Sequence, residues 1–351
     1  MRRFRVEPPP HHKALSTSRR EMERDGDASM IGSKEAFLAQ TSNAGFPVDI
    51  SVIDAAMLPS AGFAPAAPGS RPTARFGGLP HLALGAEWPM RGPLPHAAAF
   101  GEWIGGSRDP DASALANWAS PAPFRFLCEY DLAAAREAFA SRAEPAGWPL
   151  PDQGRLSFFW EPLSGSFGQS RQNGLVIWTR DPVDGLASVE PPAELVGSPG
   201  LALPMVLPER AAQLVPGWSI DPTVGERLLE LADAQRWSES ENEALGDWLE
   251  ANELDQSDWL GHSLLGHEIA LQSPPRYAAA SEEAGLLDVP VEWDSLEFDD
   301  PRADGWLLLL QIGLPHATSG AFDEGFLYFL IRQEHAARGA FESAYAIYQQ
   351  T

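Results

Sequence analysis

The sequence is poor in cysteine and in long apolar runs. Cys128 is the one cysteine among 351 residues, so neither an intrachain disulfide nor a metal site built on paired thiolates can form, and the chain suits a reducing compartment. No segment approaches the roughly 18 apolar residues that a membrane-spanning helix needs. Prolines and histidines, rather than an apolar stretch, follow the N-terminal arginines, which argues against a secretory signal. We therefore expect a cytoplasmic protein without a membrane span.

Positive charge is also scarce. Lys and Arg total 25 against 49 Asp and Glu, which gives a formal net charge of −24, so the surface should repel nucleic acid and anionic membranes. Residues 221–304 alone contain 22 acidic residues and four arginines. This segment is compatible with two interpretations: a solvated face that keeps the protein soluble, or a face that binds a basic protein partner.

The remaining composition is that of an ordinary globular protein, with 44% hydrophobic residues. Residues 1–34 have almost no apolar periodicity and are predicted to be a disordered extension. Residues 35–351 are predicted to form a single domain. The 31 glycines and 32 prolines indicate short elements joined by many turns.

Hydrophobic patterning places strands and helices along this domain. Aromatic and aliphatic runs predict five strands, at residues 124–130, 155–160, 175–179, 306–312 and 326–331. The Pro/Gly/Ala-rich stretch 60–78 predicts a loop. A short helix is predicted over residues 133–140, another after Asp221, and a third after a capping box formed by Ser240 and Glu243. The last two helices are acidic, so we expect them outside the sheet with their charges in water.

The two halves of the chain resemble each other. Residues 124–132 align without a gap with residues 306–314, and each segment is followed by a loop, a glycine and an aromatic strand. Those glycines are Gly154 and Gly325. One half alone would leave a face of its small sheet exposed, so the halves should share a core.

This duplication predicts an α+β fold with an internally duplicated, mostly antiparallel sheet and peripheral helices. The two pseudo-repeats are expected at about residues 60–200 and 201–351.

Several short motifs, taken in order, resemble the YwqG-like family of uncharacterised bacterial proteins. They are Phe76-Gly77-Gly78-Leu79-Pro80, Glu87-Trp88-Pro89, Asp131-Leu132 and Gly154-x-Leu156-x-Phe158-Phe159, then Leu264-Leu265-Gly266-His267, Ile269-x-Leu271-Gln272, Leu308-Leu309-Leu310-Gln311-Ile312 and Asp323-x-Gly325-x-Leu327-Tyr328-Phe329. The resemblance implies an α+β fold made by duplication and brings no established activity. Glu129 stands where the family usually has Gln, and Gly313 where a polar residue is common.

Five residues are candidates for binding a ligand or partner: Trp88, Glu129, Asp131, His267 and Gln311. Period-two alternation places four residues on one strand face: Phe124, Phe126, Cys128 and Tyr130. Glu129 and Asp131 then both point to the opposite face. They are either a carboxylate pair suited to acid–base chemistry, or a charge at the strand end beside an Asp that caps a turn.

The sequence contains little that indicates nucleophilic catalysis, metal binding or nucleotide binding. Cys128 alternates with aromatic residues and is expected to be a buried, inert thiol. His262 and His267 lie five residues apart, which does not place both on one helical face, so no metal site is predicted. No nucleophile elbow or phosphate loop occurs, and no cofactor is predicted.

The leading hypothesis is a non-enzymatic, acidic protein-binding module, for example an immunity or antitoxin protein that engages a basic partner. The alternative is a small-molecule-binding domain or enzyme with a pocket between the two repeats, near Glu129, Asp131 and Gln311. A structural module within a larger assembly is the third interpretation.

Overall fold

A ten-stranded antiparallel sheet forms the centre of the molecule. The computed structural model describes residues 31–94, 118–140, 148–162, 170–180, 185–193, 204–251, 261–285, 300–322 and 324–350. The strands in these ranges are β1 (Met57–Pro65), β2 (Ala74–Phe76), β3 (His81–Ala83), β4 (Met90–Arg91), β5 (Ala122–Pro123), β6 (Arg125–Asp131), β7 (Arg155–Trp160), β8 (Gly174–Thr179), β9 (Leu186–Ser188), β10 (Arg210–Ile220), β11 (Ser263–Leu264), β12 (Trp306–Gly313), β13 (Phe326–Arg332) and β14 (Tyr345–Gln349). β3 pairs with β9 and β4 with β5 outside the main sheet.

Short helices surround the sheet. In the described ranges they are α1 (Lys34–Ser42), α2 (Ile50–Ala55), α3 (Leu132–Ala140), α4 (Ser170–Asn173), α5 (Val224–Gln235), α6 (Glu239–Ala251), α7 (Pro275–Glu283), α8 (Leu314–Ala317) and α9 (Gln333–Ala337). None of these helices has the length and apolarity required to cross a bilayer. Together with the antiparallel sheet they confirm the predicted α+β class.

The order of the main sheet is symmetric about its central pair. It runs β14-β13-β12-β11-β1-β10-β2-β6-β7-β8, so β11 to β14 flank the pair on one side as β2 and β6 to β8 do on the other. β1 pairs with β10 over nine residues, and it also pairs with β11 from the second half. β10 in turn pairs with β2 from the first half. Each half therefore places one long strand, β1 or β10, beside a short strand, β11 or β2, of the other half.

Local irregularities recur at equivalent positions in the two halves. β6 changes register between Phe126 and Cys128, and β12 does so between Leu308 and Leu310, which is the same place in the ungapped alignment. The edge strands β8 and β14 also approach each other, because Gly174 lies against Ala346. The sheet thus curls around one shared interior.

The shared interior contains residues from both halves. The equivalent rings of Phe158 and Phe329 meet there with centroids 5.0 Å apart. A separate apolar cluster joins α1, α2, α5 and α6 through buried side chains that include Ile53, Leu228 and Trp248. The acidic helices α5 and α6 therefore pack on their own small core outside the sheet, as predicted, and leave their charged faces in water.

The predicted strands are all present within a residue or two of their expected ends, but the predicted loop at residues 60–78 is wrong. Nine of its 19 residues belong to strands, residues 60–65 to β1 and residues 74–76 to β2, and β1 is a central strand. Its small residues Ser60 and Ala61 are buried between β10 and β11. Small side chains suit a strand that close neighbours cover, although they give no hydrophobic alternation.

The predicted capping box of α6 is also wrong, by two residues. Ser238 and Glu241 form the reciprocal hydrogen bonds, the Ser238 amide donating to the Glu241 carboxylate over 2.6 Å and the Glu241 amide to Ser238 Oγ over 3.3 Å. Trp237 is buried immediately before this cap, so burial of its ring fixes where the helix begins.

The predicted disordered extension falls mostly on residues 1–30, which lie outside the described residues. Within the described part, Ile31 already bridges to Trp218, and Ser33 Oγ accepts a hydrogen bond from the Ala36 amide at the start of α1. Residues 31–34 therefore belong to the folded part of the chain.

Candidate functional site

A cavity of about 1010 Å³ lies between the two halves of the sheet. On one side it is bordered by α3 and the segment 148–153 from the first half, and on the other by residues 265–268 and 303–308 from the second half. The two halves thus leave an open space between them here, although they pack closely in the shared interior. We call this cavity the cleft.

His267 lines the cleft at the end of a tightly packed loop. The preceding residue, Gly266, has a φ of +78°, and a Cβ there would collide with Ser219 and Ser60, so this position requires glycine. The Ser219 hydroxyl oxygen accepts a hydrogen bond from the His267 amide over 2.9 Å. The loop backbone is therefore fixed on both sides of residue 266.

The His267 imidazole is neutral and incompletely hydrogen-bonded. Burial lowers its pKa, although the charges of Asp221 and Glu268 partly oppose this effect. The ring donates to the backbone carbonyl of Ala56, while Nε2 is buried and has no hydrogen-bond partner among the described residues. The donor is therefore Nδ1, and Nε2 carries an unused lone pair.

Acidic and aromatic side chains make up much of the rest of the lining. The charged residues are Glu137, Asp152, Asp221, Glu268 and Asp304 against Arg136 and Arg276. Arg276 Nη1 lies 2.5 Å from Glu268 Oε1, and Arg136 Nη1 lies 3.0 Å from Asp152 Oδ2. Both arginines are thus already paired, and Asp221 Oδ2 lies 2.9 Å from Arg227 Nη2 outside the lining. Glu137 and Asp304 remain as the excess of carboxylates in the lining. Phe139, Trp148 and Trp306 supply aromatic rings.

Gln311 does not line the cleft but holds the loop that carries His267. It is fully buried in β12, and its Oε1 accepts a hydrogen bond from the Ile269 amide over 2.9 Å. Tyr328 donates its hydroxyl to the Ile269 carbonyl over 2.5 Å. Gln349 Oε1 accepts from the Leu271 amide over 3.0 Å. These three side chains fix the loop from the sheet side.

Glu129 has the equivalent position in the first half. Its Oε2 accepts a hydrogen bond from the His81 amide over 3.1 Å. His81 lies three residues after Gly78, just as Ile269 lies three residues after Gly266, so the two amides are equivalent. Glu129 Oε1 also lies 3.0 Å from Arg75 Nη2, 2.5 Å from Arg155 Nη1 and 2.6 Å from His81 Nδ1. The carboxylate therefore holds the loop and binds two guanidinium groups at once.

This environment keeps Glu129 ionised. Burial would raise the pKa of its carboxyl, but hydrogen bonds from His81 and the charges of Arg75 and Arg155 outweigh burial and lower the pKa to about 2. An acid with such a low pKa remains a carboxylate at neutral pH and does not donate a proton. Its chemistry is that of a structural ion pair.

The bulge in β6 explains why Glu129 faces this loop. It moves Phe126 into an outer cluster with Phe159, whereas Cys128 and Tyr130 face the shared interior. The predicted single face for Phe124, Phe126, Cys128 and Tyr130 is therefore wrong. A bulge adds one residue to a strand and reverses the faces beyond it, so Glu129 lies on the Phe126 side. Cys128 is buried as predicted.

The other predicted site residues do not converge with these. Asp131 Oδ1 accepts a hydrogen bond from the Ala134 amide over 2.9 Å, so it caps α3, as one of the two interpretations has it, and forms no pair with Glu129. Trp88 is only 5% exposed, and its Nε1 donates to the Phe124 carbonyl over 2.9 Å. Of the five predicted residues, His267 alone lines the cleft.

Sequence reasoning missed Asp221, Arg276 and Trp306 as lining residues. Asp221 carries the signature of a helix start, and it does hydrogen-bond to the Thr223 amide as a cap would. Because the lining comes from widely separated segments, no spacing within one segment could indicate it. Within the described ranges, no group of three or more His, Cys, Asp and Glu is placed to hold a metal ion.

Comparison with known proteins gives a family but no named relative. No curated protein matches the sequence. The family described as "Domain of unknown function (DUF1963)" matches residues 74–349. This region runs from β2 into β14 and includes Glu129, Gln311 and the two glycine loops that they hold. The chain belongs to this family of unknown function.

Proposed function

We propose that the cleft binds a small organic cation. The observation that carries this proposal is a lining in which carboxylates outnumber arginines five to two, together with a neutral His267 in that lining whose Nε2 has no hydrogen-bond partner among the described residues. An ammonium or guanidinium group is a donor without acceptors. It would satisfy the free lone pair of His267 and offset the negative charge of the lining.

The aromatic part of the lining favours an organic cation over a bare metal ion. Trp148, Trp306 and Phe139 offer apolar surface and ring faces, which attract cations by about 0.5–2 kcal/mol each. A volume of about 1010 Å³ is at the upper end of the range of small-molecule sites. The cleft therefore suits a ligand with an apolar body and a positive head.

Three probes of similar shape and different charge test this proposal. Benzylamine, benzyl alcohol and benzoate each carry one aromatic ring, and their head groups are positive, neutral and negative at pH 7.5. We expect benzylamine to bind about tenfold more tightly than benzyl alcohol, and benzoate most weakly, because the carboxylates attract the first and repel the last. Titration monitored by NMR or calorimetry gives the three affinities.

Two variants locate the binding. His267→Gln removes the imidazole acceptor and should weaken benzylamine binding by about tenfold, whereas Glu230→Gln removes an exposed carboxylate of α5 that is outside the lining and should have no effect. Equal affinity of benzoate and benzylamine, or equal loss in both variants, would show that the cleft does not select a cation.

A second proposal concerns the acidic helices outside the sheet, which we infer to be a docking face for a basic protein in the cytoplasm. Seven carboxylates of α5 and α6 are exposed: Glu226, Glu230, Asp233, Glu239, Glu243, Asp247 and Glu250. Most of their apolar side chains are already used in the small core with α1 and α2, so the outward face is mainly charged, with Leu229 as an exposed apolar residue among the carboxylates. The remaining acidic stretches, residues 252–260 and 286–299, lie outside the described residues.

Salt dependence tests this second proposal. Capture of a protein partner should weaken between about 0.05 and 0.5 M salt because exposed charges are screened. A variant in which Glu230, Asp233, Glu243 and Asp247 become amides should lose that partner at low salt. A control variant with the same change at Glu35, Glu190, Glu334 and Glu342, which are exposed elsewhere, should retain it. Binding that both variants lose equally, or that salt does not affect, contradicts the proposal.

A further inference from the structure

A cluster of one arginine and two histidines lies at the end of the strands opposite the cleft. α3 follows β6 and borders the cleft, whereas α8, which carries His316, follows β12. Five antiparallel steps separate β6 from β12 in the sheet order, so the two strands run in opposite directions and these helices lie at opposite ends. Arg210 is the first residue of β10, and His262 directly precedes β11.

Arg210 forms no ion pair with any carboxylate in the part of the chain that the structure describes. Its Nε and Nη2 atoms are buried without hydrogen-bond partners, and its guanidinium lies 5.7 Å from the centroid of the Phe76 ring. By contrast, Arg75, Arg91 and Arg155 each form an ion pair with a carboxylate. Nε and Nη2 make up the side of a guanidinium that binds two oxygens of one carboxylate or phosphate.

The histidines provide a further donor beside Arg210. Gly313 donates its amide hydrogen to His262 Nδ1 over 3.2 Å, so the neutral His262 ring carries its proton on Nε2. That Nε2 lies 2.7 Å from His316 Nδ1 and donates to it. The proton of neutral His316 is therefore on Nε2, which ends this chain of hydrogen bonds as an N–H donor.

Both imidazoles are kept neutral by their surroundings. Burial, then the charges of His316 and Arg210, lower the pKa of His262 well below its usual value. Burial, then the charge of Arg210, lower the pKa of His316. Burial alone lowers the pKa of the Arg210 guanidinium. Within the described residues, no carboxylate contributes to any of these three shifts, although the chain has 49 acidic residues.

We propose that Arg210 and His316 form a binding site for a small oxyanion group, a carboxylate or a phosphate. The free side of the Arg210 guanidinium takes two oxygens of the anion, and the His316 Nε2–H donates to the same group. Arg210 is half-buried, and leaving its buried Nε and Nη2 atoms without an acceptor is costly; a bound oxyanion removes that cost. The site is independent of the cleft, which is acidic and takes the opposite charge.

Thermal unfolding of the full chain tests this site with inorganic phosphate and acetate as probes. About 10 mM of the anion that binds should raise the melting temperature by about 2 °C over chloride at equal ionic strength, because the ligand binds the folded state alone. The probe that gives the larger shift distinguishes a phosphate site from a carboxylate site. Imidazole ¹⁵N resonances of His316 and His262 should move in the same titration.

Variants of Arg210 decide the assignment. Arg210→Gln should abolish the anion-dependent shift, and Arg210→Lys, which keeps the charge but loses the two-pronged geometry, should lose most of it even if the Gln variant does not fold. Arg180→Gln changes an exposed arginine elsewhere and should keep the full shift. The proposal is overturned if neither anion exceeds chloride, or if Arg210→Lys retains the wild-type response.

Discussion

The loop after β2 is held by a carboxylate in the first half of the molecule, whereas the loop after β11 is held by an amide in the second half. Glu129 and Gln311 accept the same backbone hydrogen bond, from residues 81 and 269. In the described part of the chain, arginines pair with Glu129 but not with Gln311, and the cleft is lined by the loop that Gln311 holds but not by the loop that Glu129 holds. The shared backbone geometry is thus preserved while its chemistry differs, because the hydrogen bond needs an oxygen acceptor and not a charge.

Exchanging the two acceptors should give the largest effect. Glu129→Gln keeps the hydrogen bond from the His81 amide but leaves Arg75 and Arg155 without their shared carboxylate. We expect a loss of roughly 3–5 kcal/mol in the free energy of unfolding. Gln311→Glu buries a new carboxylate with no arginine and should be at least as costly at pH 8. Urea denaturation measures both.

Measuring the free energy of unfolding of both variants at several pH values separates the effect of the charge from the effect of side-chain shape. Because the pKa of Glu129 is lowered from 4.5 to about 2, its stabilisation is complete above pH 4.5 and is lost as the pH falls toward 2. Glu129→Gln should remove that part of the acid sensitivity. Gln311→Glu should behave in the opposite way and become less destabilising at low pH, where the new carboxyl is protonated. Equal costs at pH 4 and pH 8 would contradict both expectations.

The equivalent glycines offer a second test of the comparison, with a smaller effect. Gly154 and Gly325 have φ values of +104° and +89°, and a Cβ at either would lie 2.6 Å from a carbonyl oxygen of the adjoining strand, that of Thr179 or of Gln349. Alanine at either position should cost about 2 kcal/mol or more.

Gly320 supplies the matched control for this pair. Its φ is +78°, but no atom lies within 4 Å of its missing Cβ, so Gly320→Ala should cost only the backbone strain, about 1 kcal/mol. Thermal or urea unfolding compares the three variants. Markedly different costs for Gly154→Ala and Gly325→Ala would show that the two halves do not carry equivalent turns.

The sequence alone was enough to locate the strands that are apolar along their whole length. β7, β8, β12 and β13 are covered on at least one face by the shared interior, so their aromatic and aliphatic runs were unambiguous. β1 gave no such pattern because Ser60 and Ala61 are small and lie between neighbouring strands. The two bulges could not be predicted from the sequence either, because an inserted residue changes which face a side chain occupies without changing the composition of the strand.

The candidate site was harder to predict from the sequence than the fold was. Glu129 and Gln311 were singled out from the repeat, yet both hold loops from within the sheet instead of lining the cleft. Asp131 and Trp88 satisfy backbone groups of their own surroundings. His267 was found because it follows a glycine loop. Residues such as Trp306 join it only through tertiary folding, which brings segments from both halves together.

The smallest expected effect concerns the border of the cleft, where the two halves meet. Asp152 from the first half pairs with Arg136, but their side chains are 58% and 47% exposed, so Asp152→Asn should change the free energy of unfolding by less than about 1 kcal/mol. The same substitution removes one carboxylate from the lining and should weaken benzylamine binding about twofold. Urea unfolding and the titration separate the two effects. Unchanged benzylamine affinity would mean that the first half contributes shape to the cleft, and that its selectivity comes from the loop with His267 alone.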